Sequence, residues 1–439
     1  MKRATWGSKI GFILSASGAA IGLGNIQRFP YLTAEGGGAL FVFIYLICVI
    51  FIGLPLILVE FSLGRYAQKN PVCAIEKIKP NYKWIGYLGI LTAFFILTYY
   101  SVVGGWAIGY VINMIFNLKI DIFNFAANPL YAIGYMALFF TIVMLVVMRG
   151  IRRGIERYNK ILMPILFFLI IILMVKSLTL KGSFEGVKYY LKPDFSEINT
   201  RIFLLALGQA FFSLCIGEAV LITYGSYASK KENLASSALY IAFFDTLIAM
   251  LIGFVIFPAI FSFGETPTQG VLLSFYVLPK IFSKMVFGNI FGSLFFILLS
   301  FAAVTTAIAL LEMPVAYLID KKRWNRRKAV WIVGMVAFVL GIPSALSKGG
   351  SRFLSDIKFN FIKQKGFYDI MDFVWGNLSM VLGGGFLAFF VGWIWGAERA
   401  SEELKIGCER FIKIKPFWIF IVKFLAPVFI FIILLSLFW

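Results

Sequence analysis

Along the chain, long apolar runs alternate with short polar connections, and the runs are of membrane length. A helix needs about 20 apolar residues to cross the hydrocarbon layer. Eleven segments answer that description, over residues 10–35, 39–64, 85–116, 129–148, 157–178, 202–228, 234–262, 288–320, 328–344, 367–396 and 415–438. Two of them carry interruptions for which a lipid-facing helix has no use. In the first, Gly18-Ala19-Ala20-Ile21-Gly22-Leu23-Gly24-Asn25-Ile26-Gln27-Arg28-Phe29-Pro30 sets glycines, an amide and an arginine inside the apolar run. In the sixth, Ser213-Leu214-Cys215-Ile216-Gly217-Glu218 puts a hydroxyl, a thiol, a glycine and an acid at mid-span. Unpaired N–H and C=O groups cost several kcal/mol in hydrocarbon, so a spanning helix breaks only where the freed groups face protein or a polar cavity. Freed carbonyls suit a cation, and freed amides at a restarted helix suit an anion. Both interruptions therefore predict a binding site at membrane depth.

Interrupted helices at the first and sixth positions of ten point to two five-helix repeats of opposite orientation that share a midplane site. The predicted division is residues 1–178 (helices 1 to 5), 179–400 (helices 6 to 10) and 401–439 (an extra helix 11), all within one integral membrane domain. An odd number of spans sends the termini to opposite faces. The longer connections cover residues 179–201, 263–287 and 345–366, and the middle one holds an apolar piece, Val271 to Phe282. That piece is too short to span and predicts a re-entrant or capping helix.

Composition agrees with an all-α membrane protein, because 61% of residues are hydrophobic, 18% aromatic and only 14% charged. The Lys2-Arg3 start followed by Ile10 to Ala20 has the form of a signal peptide, but apolar segments continue to Trp439 and cleavage would remove the most distinctive motif. A net charge of +20 would suit nucleic acid in a soluble domain. Here the basic residues lie between spans and report topology instead. They favour a cytoplasmic N-terminus, with Arg149 to Lys160 and Lys321 to Lys328 inside and the C-terminus outside, in a multi-pass protein of the inner membrane surrounded by lipid. Histidine is absent, which removes the usual proton shuttle and the commonest metal ligand. The cysteines Cys48, Cys73, Cys215 and Cys408 show no paired spacing, so neither a disulfide framework nor a zinc site is expected. An intramembrane enzyme would need a nucleophile with its base or a metal cluster, and the chain offers no such set. A channel would show a continuous polar stripe and no paired gates.

The chain resembles the neurotransmitter:sodium symporter family, whose members have the LeuT fold and move amino acids or amines with Na+. Trp6, the Gly18 to Pro30 motif, Glu60 to Tyr66, Tyr99-Tyr100 with Trp106, Gly150 to Tyr158, Gln209 to Ser213, Thr223 to Tyr227, Thr305-Thr306 and Met371-Asp372-Phe373 carry the resemblance in family order. It implies an all-α protein of eleven spans with broken helices 1 and 6, where many members have twelve. A dimer contact through a final helix is thus in doubt, and the oligomeric state is left open.

Residue by residue, the resemblance implies a first Na+ among the Ala20 carbonyl, Asn25, Ser213, Asp245 and the substrate carboxylate. A second Na+ would sit among the carbonyls of Gly18, Ile21 and Ala302 and the hydroxyls of Thr305 and Thr306. A membrane-helix Thr is often bonded only to the carbonyl one turn back, and it is the doublet that favours the ion. The amides around Leu23 and Gly24, beside Ala20 and Gly22, with the Tyr100 hydroxyl, would hold the substrate carboxylate. Ile96, Phe212, Ser213, Cys215, Glu218, Thr306 and Leu310 would surround the rest of the substrate. Arg28 with Asp372 forms the implied outer gate, and Arg3 with Asp320 the inner one. Three positions depart from the common pattern. Asp245 replaces a frequent Asn, Glu218 an aromatic or Met, and Gln27 a frequent Trp. A carboxylate at Asp245 makes bound chloride unnecessary. The function implied is sodium-coupled uptake of an amino acid by alternating access, with no nucleic-acid partner. A proton-coupled or sodium-independent transporter of the same fold is the alternative, with Glu218, Asp245 or Glu312 as carrier.

Overall fold

The runs and parts of the longer connections fold as helices, and Lys358 and Lys365 form an isolated antiparallel bridge. The structure, a computed structural model, describes residues 4–265, 273–359 and 363–437. Nine helices among the described residues are continuous, long and apolar enough to cross a membrane. Numbered by span, they are α2 (Ala39–Ala67), α3 (Pro80–Ile115), α4 (Pro129–Met148), α5 (Ile151–Leu178), α7 (Leu234–Ser262), α8 (Gly288–Lys322), α9 (Arg326–Leu346), α10 (Phe367–Lys405) and α11 (Phe411–Ser436). The first span is a pair, α1a (Lys9–Ala20) and α1b (Gly24–Glu35), bent by 50° at its break. The sixth is also divided, into α6a (Thr200–Ser213) and α6b (Val220–Ser226), and neither half is long enough to cross alone.

Among the described residues all eleven predicted runs are thus helical outside the two breaks. Several start where an Asn side chain accepts a backbone N–H of the first turn. Asn128 caps α4, Asn199 α6a, Asn233 α7 and Asn325 α9. A polar residue at the edge of an apolar run marks where the chain can leave hydrocarbon, and capping satisfies one of the donors that a helix end exposes. Helix α5 begins earlier than its apolar run because Gly150, at φ 84°, opens a wide turn over Ile151–Glu156. Helix α10 runs on past Gly396 into the amphipathic segment Ala397–Lys405. In the predicted capping piece, residues 271 and 272 lie outside the described residues, and Leu273–Val277 and Leu278–Lys284 are helical.

Burial divides the helices into centre and shell. The most apolar stretches of α8 and α3 are 83% and 78% buried within the protein, against 28% for α11. Helices α3 and α8 therefore form the interior, α1a packs on α5, α7 and α8, and both halves of the sixth span pack chiefly on α2, while α11 turns most of its surface outward. The four cysteines are unbonded.

The link of the sixth span, between α6a and α6b, turns through three residues of positive φ within five positions. Cys215, Gly217 and Ala219 have φ of 52°, 88° and 57°, a left-handed region that non-glycine residues rarely enter. Gly217 is also pressed against α10. A Cβ there would run into the Met380 carbonyl and lie 2.5 Å from the Gly384 nitrogen. Gly217→Ala is expected to cost about 2–4 kcal/mol through strain and overpacking. Detergent-solubilised protein should accordingly melt several degrees lower, and an unchanged midpoint would show that α10 gives way.

Candidate functional site

The two breaks meet at mid-depth, and each is tied off by side chains of other helices. At the first, Ile21 is extended (φ −75°, ψ 94°), which ends α1a. The Gly22 N–H donates to Asn25 Oδ1 at 3.2 Å and the Leu23 N–H to the Tyr100 hydroxyl at 3.1 Å. Beyond them, Gln209 Nε2 donates to the Gly24 carbonyl at 2.8 Å. Gly22 admits no side chain. A Cβ there would collide with the Thr306 hydroxyl and stand 2.7 Å from the Tyr100 oxygen. Gly24 faces Phe212 in the same manner, at 2.9 Å. At the second break, the Gly217 N–H donates to Glu60 Oε1 at 2.8 Å, and the Cys215 thiol reaches the Ala19 carbonyl at 3.3 Å.

Asn25, Ser213 and Asp245 converge, each fully buried. Ser213 Oγ donates to Asp245 Oδ2 at 2.7 Å, and Asn25 Nδ2 donates to Asp245 Oδ1 at 2.8 Å and to Ser213 Oγ at 3.0 Å. Tyr45, which sequence reasoning missed, adds its hydroxyl at 3.4 Å from Asp245 Oδ2. The amide of Asn25 turns its nitrogen, not its oxygen, towards the carboxylate. That is the neutral complement to a negative group, and a half-turn of the amide presents the oxygen instead.

The residues of the second implied ion site also come together. Thr305 Oγ1 lies 2.9 Å from the Ala302 carbonyl and 3.5 Å from that of Ile21. Thr306 Oγ1 lies 2.9 Å from the Ala19 carbonyl and 3.5 Å from that of Gly18. Back-bonding to α8 and proximity to the broken end of α1a thus coexist at Thr305. A hydroxyl that donates keeps lone pairs free, so the cluster is rich in oxygen. Ala20 is buried at the end of α1a, and Ile96 and Leu310 are buried one turn from Tyr100 and Thr306 on their own helices.

Above the breaks, on the face opposite the N-terminus, a cavity of about 460 Å³ descends to Tyr100, Phe212 and Leu23 and is flanked by Arg28, Asp372 and Trp106. The Arg28 guanidinium stacks 4.2 Å from the Phe212 ring. Arg28 and Asp372 form no direct ion pair. Asn377, not foreseen from sequence, stands between them, accepting from Arg28 Nη2 at 2.9 Å and donating to Asp372 Oδ2 at 3.4 Å. The signal for Asn377 lies five residues past Asp372, a spacing that becomes adjacent only because Asp372–Ser379 is a widened π turn. On the N-terminal face the path is plugged. The indole of Trp6 donates to the Tyr224 carbonyl at 3.0 Å, and Glu156 accepts from the Gly7 N–H at 2.6 Å. Glu312, buried, accepts from Tyr227 at 2.6 Å and pairs with Arg326. Of the implied inner gate, Arg3 lies outside the described residues, and Asp320 accepts from the Asn70 N–H at 2.8 Å.

A cavity open on one face, a plug on the other and a site made from two broken helices between them define a membrane transporter. The chain belongs to the sodium:neurotransmitter symporter family, whose model matches residues 3–122 and 130–438. It is 37% identical over 447 residues to the uncharacterized sodium-dependent transporter YhdH of Bacillus subtilis (strain 168), covering 99% of this chain and 98% of that one. An uncharacterized sodium-dependent transporter of Haemophilus influenzae is 38% identical over 458 residues, covering 99% and 98%. The solved structure of MhsT in complex with L-phenylalanine superposes with a TM-score of 0.90 at 40% identity over the whole of both chains. The fold is therefore the LeuT fold of that family.

Asn377→Ala would leave Arg28 and Asp372 without their bridge. One or two hydrogen bonds to charged groups are worth about 1.5–3 kcal/mol each before solvent is readmitted, so cargo trapped beneath the cavity should escape roughly tenfold faster. The dissociation rate of a radiolabelled ligand measures this, and an unchanged rate would show that the Asn377 bridge does not retain ligand.

Proposed function

We propose that the chain is a sodium-coupled symporter that takes up an amino acid across the cytoplasmic membrane by alternating access. The observation that carries the reading is the union of both breaks with two oxygen-rich clusters, one holding a buried carboxylate. Asn25, Ser213, Asp245 and the Ala20 carbonyl would hold one Na+. Gly18, Ile21, Ala302, Thr305 and Thr306 would hold another. The amides of Leu23 and Gly24, with Tyr100, would turn to the cargo carboxylate, and Ile96, Phe212, Cys215, Glu218, Thr306 and Leu310 would line its side chain. In this reading residues 1–178 and 179–400 are inverted repeats with residues 401–439 appended, the plugged face is cytoplasmic, and no nucleic acid is involved. Cargo and ions favour closure above them, and release follows when α1a and Trp6 move out of the inner path.

Thermal shift in NaCl against choline chloride, across the twenty amino acids, tests the reading directly, because a ligand of the native state alone raises stability by mass action. At least one amino acid should stabilise in Na+ only. Thr305→Ala should weaken the Na+ requirement about tenfold while the protein still expresses and melts cooperatively. Equal stabilisation in choline, or an unaltered Na+ titration in Thr305→Ala, would defeat the assignment.

Asp245 brings its own negative charge to the first cluster, so no chloride should be needed. Opposite unit charges 4 Å apart attract by about 4 kcal/mol at an effective dielectric of 20. Uptake in proteoliposomes is expected to be equal in gluconate and chloride for the wild type, and to acquire chloride stimulation in Asp245→Asn. A strict chloride requirement in the wild type would overturn this part of the reading.

A further inference from the structure

Glu218 sits in the link between α6a and α6b and is only 3% exposed. Its surroundings are fixed. Left-handed backbone at Cys215, Gly217 and Ala219 brackets it, and the Gly217 N–H is anchored on Glu60. Within electrostatic reach of its carboxylate are Cys215, Tyr99, Tyr100 and a second acid, Glu60. Cys215 and Tyr100 also touch the break of α1, through the Ala19 carbonyl and the Leu23 N–H, so the link that carries Glu218 lies beside that break.

What the carboxylate lacks is a partner of opposite charge. Glu218 Oε2 is buried with no hydrogen-bond partner, and so is Glu60 Oε2. No Lys or Arg forms an ion pair with either acid among the described residues. Asp245 differs, since Asn25, Ser213 and Tyr45 engage both of its oxygens. An unpaired carboxylate in an apolar interior costs several kcal/mol, and a second acid nearby adds to it. A packing role would be met at no such cost by an apolar side chain of similar volume. Retaining a buried carboxyl group is intelligible where a ligand supplies a cationic donor, because a neutral competitor then leaves that group unpartnered and is rejected.

We infer that Glu218 reads the far end of the cargo, and that the site takes an amino acid with a cationic side chain, of the lysine, ornithine or arginine type. This rests on the amino-acid reading above. On that reading the amides near Leu23, with Tyr100, would meet the α-carboxylate end, which leaves Glu218 for the side chain.

Equilibrium binding to the purified full-length protein in NaCl, with L-lysine, L-arginine and L-norleucine as the probes, decides the matter. Norleucine has the lysine carbon chain without the amine. The wild type should bind lysine or arginine about tenfold more tightly than norleucine, and Glu218→Gln should shrink that ratio about tenfold, equivalent to 1.4 kcal/mol. Norleucine equal to or tighter than the basic amino acids would overturn the inference and assign Glu218 to a proton. A uniform factor across the panel in Glu218→Gln would overturn it too, by assigning the carboxylate to the α-ammonium group shared by all cargo. Should Glu218→Gln fail to fold, Glu218→Asp and the wild-type ratio decide. Sodium-dependent binding of neutral amino acids alone sinks this inference and leaves the proposed function standing; no sodium-dependent binding of any amino acid sinks both.

Discussion

Everything in this molecule depends on how the backbone groups freed at the two breaks are satisfied. Hydrocarbon offers them nothing, so each must find a partner inside the protein. The partners come from helices that are themselves unbroken. Tyr100 on α3 serves Leu23, Thr306 on α8 serves Ala19, and Glu60 on α2 serves Gly217. The breaks also serve one another, through Gln209 to Gly24 and Cys215 to Ala19. A net hydrogen bond contributes only about 1 kcal/mol, although leaving one unmade costs more. Ligand atoms can therefore replace side-chain atoms at the breaks with little change in free energy, provided that no group is left bare.

The same economy governs the two ends of the path. On the N-terminal face the plug is a network: Trp6 on Tyr224, Gly7 on Glu156, and Tyr227 with Arg326 on Glu312. On the other face, Arg28, Asn377 and Asp372 make a chain of modest hydrogen bonds above Phe212. Neither set is so strong that a bound ligand could not outweigh it. Moving a two-state equilibrium from 1:99 to 99:1 takes about 5.5 kcal/mol of differential binding, within the range of a few ion and cargo contacts made in one state only.

Much of the fold was legible in the sequence because membrane helices obey one rule, apolar length, and because breaking that rule has a known cause. All eleven runs became helices, and glycines with an amide or an acid inside a run marked both breaks. What escaped was geometry that depends on helix register across the bundle. Asn377 reaches Arg28 because a widened turn shifts its side chain relative to Asp372, and no local pattern announces that turn. Tyr45 reads as another aromatic in an apolar run until α2 is set against Asp245. The orientation of the Asn25 amide is decided by which neighbours accept and which donate, a property of the assembled site and not of the motif. Glu60, by contrast, reads in the sequence only as the start of the Glu60 to Tyr66 segment, and its role follows from the link after α6a, which hangs a peptide N–H on it.

Charge balance leads one step further. Glu60, Glu218 and Asp245 are all buried around the breaks, and none is ion-paired with Lys or Arg among the described residues. Buried or half-buried basic groups elsewhere pair with other acids, as Arg65 does with Glu403 and Arg326 with Glu312, leaving these three carboxyl groups without a fixed counter-charge. In a low-dielectric interior such groups are stabilised by whatever cations enter among them, and repelled anions gain nothing there. On the reading proposed above, an ion at Asp245 and a cationic cargo at Glu218 share the broken segments of α1 and α6. Each then fixes backbone that the other also uses, so occupancy of one lowers the ordering cost of the next. Thermodynamic reciprocity requires the help to be mutual: the degree to which Na+ tightens cargo is the degree to which cargo tightens Na+, and the shared break supplies the physical link.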